Sequence, residues 1–151
     1  MSVLSKSSLD RIYAHAIRSY PLECCGFVFA DGTVHLGANI QDELNRSNPE
    51  SYKRNAANGY TLSLADTARL VASMRTDNPV SIIYHSHPDV GAYFSREDHD
   101  KALFAGVPIY PVSYLVVDVR DDGVHGSKQY EWDGTQFECR ESFQLAEPFQ
   151  R

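Results

Sequence analysis

The chain has 151 residues, 42% hydrophobic and 23% charged, the size and balance of one globular domain with a real core, expected to span residues 1–151. Its formal net charge of −6 argues against a general nucleic-acid binder, which needs a basic face to replace counterions. No apolar run is long enough to span a bilayer, and the N-terminal stretch MSVLSKSSLD lacks a secretory apolar segment, so a cytoplasmic protein without membrane partners is expected.

Leu9, Ile12, Tyr13, Ala16 and Ile17 recur at helical spacing, predicting a first helix capped by Ser7 with Asp10 and stopped by Pro21. His15 sits on it as a structural or surface residue. Phe27–Phe29 reads as a strand, Asp31-Gly32 as a tight turn, and TVHL as the returning strand, with His35 an ordinary strand side chain. Residues 40–59 are polar and carry Asn-Pro and Asn-Gly breakers, which predicts a long loop with a short strand around Tyr52. SLADTARLVASM restores helical period, with Leu64, Ala68, Val71 and Met74 on one face and Ser63–Asp66 as the cap.

VSIIY is β-branched and apolar and reads as a buried strand. A short helix is expected to begin near Ser95 and end by Gly106. SYLVVDV is a further core strand, and Asp-Gly turns at 122–123 and 133–134 frame two antiparallel strands, HGSKQYEW and TQFEC. The order helix, hairpin, helix, strand, helix, strands makes an α+β domain with a largely antiparallel sheet. The three cysteines, Cys24, Cys25 and Cys139, offer neither a disulfide framework nor a CxxC zinc pair, and all three are expected to be small buried hydrophobes.

The chemistry concentrates at YHSHP, residues 84–88. Alternate residues of a strand share a face, so His85 and His87 project together and can share a metal ion, although an isolated H-x-H also arises by chance. Asp98 is a third donor. Ser95-x-x-Asp98 is also an ordinary helix-start signature, and the two readings are compatible because a carboxylate in a first helical turn is rigidly held. Two histidines and one carboxylate with an open position are the composition of a catalytic zinc site. No HExxH is present, so the proton carrier must come from elsewhere in the chain.

HSHP, the six residues DVGAYF, then SRED match the pattern H-x-H-P, six residues, S-x-x-D, and YPLECCGFVF places Glu23 before Cys25-Gly26 and a strand. The chain thus resembles the JAMM (MPN-plus) zinc metalloproteases over most of its length. The resemblance implies their curved, cytidine-deaminase-like sheet fold. It implies one Zn2+ per chain on His85, His87 and Asp98 with water as fourth ligand, Glu23 as general base and then acid, and Ser95 as donor to the oxyanion. Pro88 would fix the turn leaving the strand and Cys25 would pack under the site. Cys24 is read as a packing residue too. Asp89, His99, Asp100 and His125 have no assigned role, and His99 and Asp100 are expected on the surface. Short members of this kind look like prokaryotic enzymes that cut after the C-terminal Gly-Gly of a ubiquitin-like or sulfur-carrier protein. The expectation is therefore a peptidase or isopeptidase with such a partner, docked in part on loop 40–59. A phage-tail or cell-wall endopeptidase and a non-catalytic scaffold of the same fold are the alternatives.

Overall fold

The computed structural model describes residues 3–150. The elements run α1 (Lys6–Ser19), β1 (Cys25–Phe29), β2 (Val34–Leu36), α2 (Gln41–Ser47), α3 (Leu64–Ser73) and β3 (Val80–Pro88), then α4 (Arg96–Ala102), β4 (Leu103–Phe104), β5 (Val107–Pro108), β6 (Ser113–Arg120), β7 (Gly123–Trp132) and β8 (Phe137–Phe149). The main sheet has six strands in the order β2-β1-β3-β6-β7-β8. Only β3 and β6 pair in parallel; the other neighbours are antiparallel. This is the expected α+β class. The parallel pair requires a crossover, and that crossover carries α4 and the small β4–β5 hairpin.

Strand alternation sorts the core into two layers. On one face Val28, Ile82, Tyr84, Leu115 and Val117 pack with Ile12, Tyr13 and Ala16 of α1. On the other, Phe27, Phe29, Ile83, Tyr114 and Val116 pack with Leu70 of α3 and Ala102 of α4. The central strand β3 is therefore covered on both faces, which is why VSIIY is a continuous apolar run. His85 and His87 share the parity of Ile83 and so lie on the α4 side. Gly26, beside β3, leaves room for the Tyr84 ring: a Cβ there would meet the Tyr84 hydroxyl and the His35 carbonyl oxygen.

Several expectations need correction. The cap of α1 is Ser5, which accepts from Ser8 N at 3.0 Å, while Asp10 instead pairs with Lys6 at 2.9 Å. The 40–59 segment is not a featureless loop: it opens with α2, whose first turn carries Asp42 and Glu43, a favourable place for acids against the helix dipole. No strand forms at Tyr52. Helix α3 has the expected cap, Ser63 accepting from Asp66 N, but it buries a different face. Asp66, Leu70 and Ser73 are buried, whereas Leu64 is 85% exposed, Val71 is 49% exposed and Ala68 is on the surface. Asp66 sets this rotation. Its Oδ1 accepts from the His35 ring at 2.7 Å and its Oδ2 from Ala38 N at 2.8 Å, bonds that pull a polar residue inward. Accordingly His35 is a clasp between β2 and α3 rather than an ordinary strand side chain. Cys139 is exposed on the edge strand β8, unlike the buried Cys24 and Cys25. Edge position leaves one flank of that strand without a covering layer.

Candidate metal centre

Every chemical group singled out at YHSHP and its partners except the surface residues falls in one place. Antiparallel pairing of β1 with β3 sets Cys25 opposite His85 and Gly26 opposite Tyr84; continued two residues outward, that register brings Glu23 opposite His87. Cys24 locks the extension, its N–H donating to Ser86 Oγ at 2.8 Å and its carbonyl accepting from Ser86 N at 3.1 Å. Cys24 is thus a buried packing residue, and burial pushes its thiol pKa up to about 12, so it is inert at neutral pH.

Around the strand end, His85 Nε2 and His87 Nε2 lie 3.2 Å apart. Asp98 Oδ1 is 3.1 Å from the first and Asp98 Oδ2 is 3.3 Å from the second. All three residues are buried. A tetrahedral zinc site with bonds of about 2.0–2.1 Å has ligand–ligand edges of about 3.3–3.4 Å, so the donor set fits the group. Nδ1 of His87 faces the Gly91 carbonyl at 3.0 Å, which only accepts, so Nδ1 carries a hydrogen and the neutral ring presents its Nε2 lone pair. His85 is fully buried under the Tyr60 ring, 4.4 Å away and nearly parallel; its Nδ1 has no hydrogen-bond partner among the described residues.

Asp98 is oriented by its own helix. Ser95 N donates to Asp98 Oδ2 at 2.9 Å and Asp98 N donates to Ser95 Oγ at 3.0 Å, a complete capping box. The helix-start and ligand readings are therefore both satisfied by one geometry. Because Ser95 Oγ is the acceptor in that bond, its O–H remains available to donate.

Electrostatics follow the same clustering. Burial, opposed by the two histidines and Lys101, raises the Glu23 pKa. Burial would also raise Asp98, but His85, His87 and Ser95 N hold it well below the usual carboxylate range. For His87, burial works downward and is outweighed by the hydrogen bond and charge of Asp98 and by Glu23, so its pKa rises.

His87 and Asp98 open onto a cavity of about 870 Å³ between residues 51–61 and 87–101, with Glu23 and Ser95 also in its lining. Asn39 ties the first wall to the catalytic side. Its amide donates to the carbonyls of Glu23 and Gly59, both at 3.0 Å, while its oxygen accepts from Gln41 N and Thr61 N. Every hydrogen-bonding site of that side chain is used. Glu23 N in turn donates to Ala56 O at 2.7 Å.

The remaining residues lie off the centre. Asp89 accepts from the Tyr20 hydroxyl at 2.8 Å, and His125 pairs with Asp122 at 2.7 Å. Asp100 is exposed as expected, but His99 is half-buried against the rings of Phe94 and Phe137. Sequence reading missed Tyr60 and Lys101. Tyr60 gave no local signal, since ring stacking on His85 is a long-range contact. Lys101 did: at three residues past Asp98 it shares a helix face with it.

A family model described as prokaryotic homologs of the JAB domain matches residues 5–133. CysO-cysteine peptidases of Mycobacterium tuberculosis and Mycobacterium bovis are each 28% identical over 129 residues, covering 85% of this chain and 80% of theirs. Among solved structures, a Desulfitobacterium hafniense protein aligns with TM-score 0.63 at 20% identity, over 91% of this chain and 88% of the other. A Salinibacter ruber protein aligns with TM-score 0.57 at 25% identity, over 98% and 95%.

Proposed function

Because the chain belongs to the family of prokaryotic JAB-domain proteins, we propose that it is a zinc-dependent peptidase or isopeptidase. It would hydrolyse the bond after the C-terminal Gly-Gly of a ubiquitin-like or sulfur-carrier protein, acting as one cytoplasmic domain over residues 1–151. The observation that carries this reading is the meeting of His85, His87 and Asp98 at 3.1–3.3 Å beside a cavity lined by His87, Asp98, Glu23 and Ser95. The similarity to CysO-cysteine peptidases supports a protein-tail substrate of this class.

His85, His87 and Asp98 would hold one Zn2+ per chain. Such an ion, when bound, lowers the pKa of water towards neutrality and polarises a scissile carbonyl. Glu23 accepts the proton of the attacking water and later delivers it to the leaving amine, and its raised pKa suits both transfers. Ser95, with its O–H uncommitted, donates to the developing oxyanion from a position fixed by the capping box. The cavity walls, including the loop after α2, receive the extended tail.

Incubating the zinc-loaded protein with ubiquitin-like proteins extended past Gly-Gly, and weighing the products by mass spectrometry, tests the proposal. Cleavage directly after Gly-Gly that a chelator abolishes is expected. Intact substrate in zinc-replete buffer would refute it.

A further inference from the structure

A histidine that holds a metal almost always donates its second ring N–H to an acceptor, and that bond fixes the orientation of the ring. His87 does so through the Gly91 carbonyl at 3.0 Å, and the Asp98 carboxylate is held by Ser95 N at 2.9 Å. His85 is built differently. Its Nε2 is the atom that meets His87 and Asp98, and its buried Nδ1 has no hydrogen-bond partner among the described residues. Against the ring lies the buried Tyr60 instead, its centre 4.4 Å from that of the imidazole and its plane tilted by 21°.

Tyr60 is itself firmly placed. Asn39 grips the backbone on either side of it, donating to Gly59 O and accepting from Thr61 N, both at 3.0 Å. The Lys101 ammonium sits over the Tyr60 ring, 4.2 Å from its centre, a favourable cation–π contact. We infer that Tyr60 is a positioning residue of the metal centre, orienting His85 by stacking where the other two ligands are oriented by hydrogen bonds. This rests on the zinc reading of the triad and adds Tyr60 to the residues that build it. A flat ring packed face to face restricts the plane of its neighbour, because turning the imidazole about its Cβ–Cγ bond would drive its edge into the Tyr60 carbons. Nε2 therefore stays aimed at Asp98 Oδ1, 3.1 Å away. The ring face does this and not the hydroxyl, so phenylalanine can replace Tyr60 and an aliphatic side chain cannot.

The test strips the full chain of metal and titrates it with zinc against a chromophoric chelator. Tyr60→Leu should weaken zinc binding by about 10–100-fold, the usual loss when a ligand's orienting partner is removed. Tyr60→Phe should bind as wild type does. Cobalt in zinc's place gives a readout that lost stability alone does not move, since its visible absorption reports the geometry of the ligand set. The bands should shift in Tyr60→Leu and keep their wild-type positions in Ile12→Ala, a destabilised control buried on the far face of the sheet. Wild-type zinc affinity and cobalt bands in Tyr60→Leu would overturn the inference and leave the zinc site intact, as would an equal loss in Tyr60→Phe. A wild type that binds no zinc overturns both. Should Tyr60→Leu not fold, proton NMR of the zinc-loaded wild type decides: the carbon-bound ring protons of His85 should be moved upfield by the Tyr60 ring current, and their absence from that region would sink the inference.

Discussion

At the residue scale, the site separates holding a metal from moving a proton. Glu23 lies outside the triad of donor atoms, so Glu23→Gln should keep about one zinc per chain by metal analysis while losing roughly 10²–10⁴ in turnover, the usual worth of a general base. Wild-type cleavage by that variant would remove Glu23 from the mechanism. Ser95 has two roles that fail together. Ser95→Ala removes the acceptor for Asp98 N, which should cost about 1 kcal/mol of stability. Loss of its donor to the oxyanion should lower kcat by about 10²-fold. Urea melts and initial rates read the two separately. A variant that loses stability alone would confine Ser95 to capping.

At the element scale, α1 is clamped to β3 through His15 and Tyr84, whose Nδ1 and hydroxyl are 2.7 Å apart. Burial, with a smaller push from Arg18, lowers the His15 pKa to about 4. A histidine whose folded pKa lies below its unfolded value binds fewer protons folded than unfolded in between. Its contribution is complete above about pH 6.5 and is lost as pH falls towards 4. Comparing urea midpoints at pH 7.5 and 5.0, His15→Gln should flatten the fall seen in wild type by on the order of 1–2 kcal/mol. Equal slopes would show that the imidazole is solvated. The same scale shows where periodicity is readable. The 9, 12, 13, 16, 17 stripe of α1 was legible because it is the face that the helix packs into the core, and the polar contacts of Ser8, Tyr13 and His15 do not turn it away. The α3 face was not, because the bonds of Asp66 to His35 and Ala38 overrule the Leu64–Ala68–Val71 stripe. Helix α2 escaped because it buries little besides Gln41 and so leaves no apolar period.

For the whole molecule, the sheet and the crossover form one frame around the centre: β1 brings Glu23, β3 the histidines, and the β3–β6 connection Asp98. A metal ion held between β3 and α4 should stabilise that frame. Adding zinc at 100 times its dissociation constant should raise unfolding free energy by about 2.7 kcal/mol, measured by urea denaturation with and without chelator. His87→Ala should abolish the increment, and an unchanged midpoint in wild type would mean that the triad does not bind zinc. The chemical inventory was readable before any folding, because the chemistry needs those residue types and strand and cap periodicities are local: two histidines at strand spacing, a carboxylate in a capped first turn, an acid before a strand. What needed the folded chain was the convergence of His85, His87 and Asp98 to 3.1–3.3 Å, and the stacking of Tyr60 on His85. Those depend on strand register and on a crossover joining residues far apart in sequence, and no local pattern encodes such distances.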